Sequence, residues 1–220
     1  MSDAAAVDAY IAERLLGDDT VLTAALADAD AAGLPAIAVA PVQGKLLHLL
    51  ALTAGARRIL EVGTLGGYSP IWLARALPAD GRLVTCEIDP HHAAVAQANL
   101  ERAGVADRVE ICLGRAADTL AAMIDAGEAP FEFVFIDADK PSNVIYLDAA
   151  LALTRPGATI VIDNVVRKGR VVDAADPDPS VAGTRALFDR IAAEPRLSAT
   201  AVQTVGAKWW DGFLLARVVA

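Results

Sequence analysis

The stretch ILEVGTLGGYS, residues 59–69, decides how the rest of the chain is read. Ile59, Leu60 and Val62 form a short apolar run, Gly63, Gly66 and Gly67 interrupt it, and a helical pattern opens at Ser69. A buried strand that passes through a glycine turn into a helix is the opening unit of a doubly wound sheet. The glycines permit a tight turn and the close approach of a ligand. Their spacing is not the dinucleotide pattern G-x-G-x-x-G, and no phosphate-loop lysine follows them. Glu61 puts a negative charge at the strand tip, which disfavours a pyrophosphate and suits a ligand bearing an ammonium group.

The same rhythm continues downstream. Strands are expected at Arg58–Val62, Leu83–Glu87, Val109–Leu113, Phe131–Asp137 and Thr159–Asp163. Helical patterns at Ser69–Ala76, His91–Ala103, Ala116–Ala126 and Asn143–Leu153 separate them. This alternation predicts an α/β fold, a doubly wound parallel sheet covered on both faces. The strands read as continuous apolar runs, as burial on two sides requires. The tail has a helix at Val181–Ala193, then LSATAVQTV (197–205) and GFLLARVV (212–219), which can pair antiparallel at the sheet edge.

Upstream, helices are expected at 3–16, at Thr20–Ala31 with Thr20 as its cap, and at Val42–Ala54 with Lys45 and His48 on the wetter side. LPAIAVAPVQ (34–43) is a connector whose prolines deny regular structure. With no linker or repeat in view, residues 1–220 are expected to be one domain. Residues 1–55 form a helical extension and 56–220 the α/β core.

Composition narrows the function. Hydrophobic residues make up 55% of the 220 and charged residues 21%, enough for a packed core and no case for disorder. The net charge of −9 and the lack of a basic stripe argue against a nucleic-acid partner. No apolar stretch is long enough to span a bilayer, and the acidic start MSDAAAVDAYIAERLL lacks the basic region of a signal peptide. Cys86 and Cys112 lie in strand-like runs and read as reduced, buried small hydrophobes, so a cytoplasmic location is expected.

In open α/β sheets ligands bind beyond the carboxyl ends of the strands. Four of the five expected strands end in or near a carboxylate: Glu61, Glu87, Asp137 and Asp163. Glu87 stands where an acid can take both hydroxyls of a ribose. An adenosine with a free ribose, an amino group and no phosphates describes S-adenosylmethionine. Asp137, Asp163 and Asn164 make an all-oxygen set suited to Mg²⁺ first, with Mn²⁺ or Ca²⁺ as alternatives, and unsuited to zinc. Asp137 alone reads better as a helix cap. Lys140 reads either as a salt-bridge partner or as a general base whose ammonium a nearby metal would acidify.

EVGTLGGYS (61–69), CEIDP (86–90), FIDADK (135–140) and VIDNVVRKG (161–169) occur in this order. Together they resemble the motifs of the cation-dependent catechol and caffeoyl-CoA type O-methyltransferases, especially the small bacterial members. The likeness runs from AVAPVQGKLL (38–47) to QTVGAKWWDGFLLARV (203–218). It implies the class I methyltransferase fold, a Rossmann-like seven-stranded sheet with its last strand antiparallel. It implies S-adenosylmethionine as donor, with Glu61, Gly63, Thr64 and Ser69 holding the methionine part, Asp139 nearby and Val39 lining the site. It assigns Glu87 to the ribose and the backbone around Ala116 to the adenine. It assigns Asp137, Asp163 and Asn164 to the metal and Lys140 to the base. It further implies a small phenolic, catechol-like acceptor and a homodimer. Pro141, Ser142, Arg167 and Lys168 depart from the plant pattern at positions facing the acceptor, so plant substrates do not carry over. Trp209 and Trp210 suit either an aromatic pocket or core and dimer packing, and His91 and His92 read as surface residues. Two other readings stay open: a nucleotide-linked oxidoreductase on a similar sheet, and a non-catalytic S-adenosylmethionine-binding protein.

Overall fold

The computed structural model describes residues 3–220. Its centre is a seven-stranded sheet in the order β3-β2-β1-β4-β5-β7-β6. The strands are β1 (Arg58–Val62), β2 (Arg82–Glu87), β3 (Val109–Leu113), β4 (Phe131–Ile136), β5 (Thr154–Asp163), β6 (Leu197–Gly206) and β7 (Trp209–Val218). β1 to β5 are mutually parallel, and β7 inserts antiparallel between β5 and β6. The helices are α1 (Ala4–Leu15), α2 (Thr20–Ala31), α3 (Pro41–Thr53), α4 (Tyr68–Ala74), α5 (Pro90–Arg102), α6 (Ala116–Asp125), α7 (Asn143–Ala152) and α8 (Pro179–Ala192).

The sheet separates two apolar layers. One gathers Leu60, Val134, Ile136, Leu147, Ile160 and Leu187. The other gathers Ile59, Leu73, Leu83, Leu100, Phe133 and Phe135 with Leu47 and Trp72. Neighbours along β1 and β4 go to opposite layers because successive strand side chains point to opposite faces. These central strands are the continuous apolar runs that two-sided burial demands.

Several local expectations are corrected. Asp19, not Thr20, caps α2, its carboxylate accepting from the Leu22 N–H at 3.0 Å. α3 opens at Pro41, where a residue without an N–H costs no hydrogen bond. β4 stops at Ile136 and leaves Asp137 just beyond the strand. β5 begins five residues early, at Thr154, and runs through Pro156 and Gly157 where the pairing with β4 is irregular. β3 is an edge strand and only half-buried. His48 is not on the wet side of α3: its Nδ1 lies 3.1 Å from the Trp72 carbonyl, while Leu49 and Leu52 are exposed. The two cysteines are free, and burial pushes the Cys86 thiol up to about 12. No helix among the described residues is long and apolar enough to cross a membrane.

Candidate active site

Register brings the strand tips together. Val62 pairs with Ile136, and Ile136 with Ile162, so Asp137 and Asp163 leave adjacent strands side by side. Neighbouring strands lie about 4.8 Å apart, which places these carboxylates within easy reach of one another. Asp163 is buried, and burial together with Asp137 pushes its carboxyl up well above the usual range. Lys140, the Asn164 N–H and the Gln43 side chain pull it partly back. Lys140 is 6% exposed and donates to Asp137 Oδ1 at 2.8 Å. Asn164 takes the left-handed conformation, φ 57°, which asparagine tolerates better than bulkier residues.

Among the described residues no three His, Cys, Asp or Glu side chains gather as a metal cluster. Asp137 and Asp163, with Asn164 next in the chain and its N–H on Asp163, offer oxygen donors of a kind that would suit a hard divalent cation. A buried Asp163 beside the half-buried Asp137 is a repulsion that a bound cation would relieve.

Glu61, one residue before the β1 tip, is fully buried. Its Oε2 accepts from the Thr85 hydroxyl at 2.6 Å, and Thr85 and Thr64 hydroxyls meet at 2.7 Å. Ser69 stands near enough to favour the charged form, yet Oε1 has no hydrogen-bond partner. Burial, reinforced by Asp137 and Glu87, raises this carboxyl from 4.5 to about 8. A buried carboxylate oxygen without a donor is an open valence for a cationic ligand group.

Glu87 accepts from the backbone N–H groups of Leu65, Ile88 and Asp89 at 2.8–3.0 Å. A carboxylate has about four acceptor positions, so capacity remains for a hydroxyl. His92 is no idle surface group: its Nδ1 comes within 3.5 Å of Glu87 Oε1. Asp139 is exposed and takes hydrogen bonds from Ser142 and Tyr146. Ala116 opens α6 just beyond β3, and Val39 is buried in the layer that holds Trp72.

The glycines serve the protein more than a ligand. A Cβ at Gly63, φ 107°, would sit 2.3 Å from the Asp137 carbonyl oxygen, and one at Gly67 would crowd Ala96. Gly63 therefore lets the β1 turn lie against the tip of β4, as the expected tight turn requires.

Gln43, Thr85 and Tyr146 also border the site, and the sequence reading does not single them out. Thr85 had a signal, a lone hydroxyl in the apolar β2 and the register partner of Glu61. Gln43 had none, since it lies far from Asp163 along the chain.

A family model described as O-methyltransferase matches residues 18–219. The chain is 55% identical over 212 residues to a catechol O-methyltransferase of Mycobacterium tuberculosis, covering 96% of this chain and 94% of that relative. It is 50% identical to a catechol O-methyltransferase of Niastella koreensis, with 96% of each chain covered. An O-methyltransferase from Bacillus cereus, solved in complex with SAH, superposes with a TM-score of 0.96 at 52% identity over 98% of each chain. These likenesses leave no room for an oxidoreductase reading, and the chain belongs to the O-methyltransferase family.

Proposed function

We propose that this protein transfers a methyl group from S-adenosylmethionine to a hydroxyl of a small catechol-like acceptor, with a divalent cation, Mg²⁺ first, at Asp137, Asp163 and Asn164. The observation that carries the proposal is the pairing of Asp137 and Asp163 tips, with Lys140 between strand and helix, beside the half-unpartnered Glu61. Relatives named catechol O-methyltransferase and a relative solved with SAH support it.

Within this proposal S-adenosylmethionine supplies a methyl group already activated on a sulfonium. The cation would supply positive charge that makes an adjacent acceptor hydroxyl more acidic. The protein's own groups bind and align. Glu61 Oε1 takes the ammonium of the methionine part, with Thr64 and Ser69 around it. Glu87 takes a ribose hydroxyl through its remaining acceptor capacity, and the backbone near Ala116 borders the adenine. Gly63 shapes the turn, Val39 closes the apolar wall and Asp139 borders the donor. Lys140 takes the acceptor's proton only as the neutral amine. Its ammonium now donates to Asp137, so it must first give one proton to solvent and leave that bond, a change that a cation engaging Asp137 would favour. Holding two reactants in line accounts for much of such a rate enhancement.

The dimer belongs to the same proposal. β6 is exposed along nearly its whole length, and an open edge strand of ten residues invites pairing. Beside it runs a groove of about 300 Å³ lined by Leu50, Thr53, Thr200 and Leu215. Leu49 and Leu52 of α3 are exposed as well, and a second copy would cover all of these. The chain would then act as one catalytic domain with residues before Ala56 as its extension, and a cytoplasmic location suits it.

Initial rates of methyl transfer to catechol, with Mg²⁺ and after chelation, test the proposal. Formation of the monomethyl ether that chelation abolishes and Mg²⁺ restores is expected. Chelator-resistant turnover would remove the cation from the account.

A further inference from the structure

The chain has only four lysines, Lys45, Lys140, Lys168 and Lys208, against fifteen arginines. Among the described residues, apart from the Lys140 pair and two histidine contacts, the ion pairs all use arginine. Three of the four lysines lie at the carboxyl edge of the sheet. Lys140 is committed to Asp137. Lys168 and Lys208 pair with no carboxylate among the described residues.

The β6–β7 hairpin brings Lys208 to the site, and the loop after β5 sets Lys168 against the Trp209 ring of that hairpin. Asp163 is paired with Phe213, so β7 extends four further residues, to Trp209, past the end of β5. At about 3.3 Å per residue this overhangs the strand tips by roughly 13 Å of chain. Lys208, in the turn, is half-buried. Burial lowers its ammonium, while Asp137 and Asp163 are close enough to pull it back up.

The overhang is fixed rather than loose. The Asp211 carboxylate accepts from the Val166 and Arg167 N–H groups, both at 3.0 Å, which ties the hairpin to the loop carrying Asn164. Trp210 lies against Gly169, where any Cβ would meet its ring at 2.6 Å, and its indole N–H donates to Gln203. The nearby Asp8 carboxylate accepts from the Ala207 N–H. Lys168 Nζ sits 4.3 Å from the Trp209 ring centre. Arg167, Lys168 and Trp209 all hold left-handed backbone conformations that are costly for such residues. Trp209 is 62% exposed and Trp210 43%, so neither serves the core. An exposed aromatic flanked by two cations without carboxylate partners, over an otherwise acidic site, is built to receive a flat ring with negative charge.

We infer that the hairpin tip, with Lys208 and Lys168 flanking Trp209, selects acceptors whose aromatic ring carries an anionic group such as a carboxylate. This specificity rests on the methyl-transfer proposal above. The strand-tip residues hold the reacting hydroxyls, and the two ammonium groups hold the far substituent.

The test compares kcat/KM for 3,4-dihydroxybenzoate, catechol and 3,4-dihydroxyphenethylamine, in the wild type and in Lys208→Met, Lys208→Arg and Lys168→Met. Calorimetric titration of the same three compounds into protein loaded with SAH and Mg²⁺ runs beside it. The wild type is expected to favour the benzoate over the amine by at least about tenfold. Lys208→Met should lower the benzoate-to-catechol ratio about tenfold, and Lys208→Arg should restore it. Lys168→Met should lower it less, its ammonium being exposed. A ratio unchanged in Lys208→Met, or a wild type indifferent to acceptor charge in both rate and binding, overturns the inference. Charge-selective binding without turnover of any acceptor would instead overturn the methyl-transfer reading and leave the selective wall standing.

Discussion

Replacing Glu61 by Gln should change both the pH dependence of stability and the affinity for the methyl donor. In the folded protein without ligand this carboxyl titrates at about 8, against 4.5 in its ordinary state, chiefly because it is buried. Between these values the folded chain holds a proton that the unfolded chain has released. Stability from this group is therefore complete below pH 4.5, falls as pH rises and is fully lost above pH 8. The slope approaches about 1.4 kcal/mol per pH unit, with a ceiling of about 5 kcal/mol across the window. Glu61→Gln keeps the acceptor for Thr85 and cannot titrate, so its profile should lack this slope. Urea unfolding of ligand-free protein at pH 5.5, 6.5 and 7.5 measures the difference. The variant should gain roughly 2–3 kcal/mol on the wild type between the first and last pH. The second arm is calorimetry with S-adenosylmethionine. Pairing Oε1 with an ammonium requires the charged carboxylate, so binding near pH 7 should release close to one proton in the wild type and none from this group in the variant. Affinity should fall roughly 30- to 100-fold, the value of a charged hydrogen bond. Parallel pH profiles for the two proteins, or equal affinities, would refute the reasoning.

Other substitutions probe the remaining parts. Gly63→Ala forces a Cβ onto the Asp137 carbonyl and should cost at least about 2 kcal/mol by thermal or urea unfolding, with loss of donor binding. Lys140→Met should lower kcat by roughly 100- to 1000-fold while calorimetry still detects S-adenosylmethionine. Asp163→Asn removes one of two paired acids and should raise the Mg²⁺ concentration needed for half-maximal rate more than tenfold. Asp211→Ala strips two N–H groups of their acceptor and should destabilise the loop after β5 by about 1–3 kcal/mol, read as faster amide exchange at Val166 and Arg167.

Much of the sheet was legible because its central strands are short apolar runs with a glycine, aspartate or glutamate at each tip. Ile59–Val62 and Phe131–Ile136 could hardly be anything else between helical patterns. The site was legible for the same reason, since parallel strands bring their ends to one edge and Glu61, Glu87, Asp137 and Asp163 all sit there. The start of β5 was not, because Pro156 and Gly157 signal a break. The strand tolerates them only where its ladder with β4 is irregular. The cap of α2 was ambiguous between adjacent Asp19 and Thr20, and only side-chain geometry chose between them. Gln43 reaches Asp163 through tertiary packing, which no local pattern encodes. The tryptophans were undecided for a similar reason. Hairpin register fixes how far Trp209 overhangs the strand tips, and only the fold shows that both indoles are exposed.

The most direct test of the central claim is single-product methyl transfer. The wild type, S-adenosylmethionine and 3,4-dihydroxybenzoate are incubated with Mg²⁺, with chelator, and with chelator followed by Mg²⁺. One methyl ether and one S-adenosylhomocysteine per turnover are expected with Mg²⁺, none with chelator, and recovery on readdition. Binding of S-adenosylmethionine with no methyl ether formed from catechol, the benzoate or the amine at any Mg²⁺ concentration would contradict that claim.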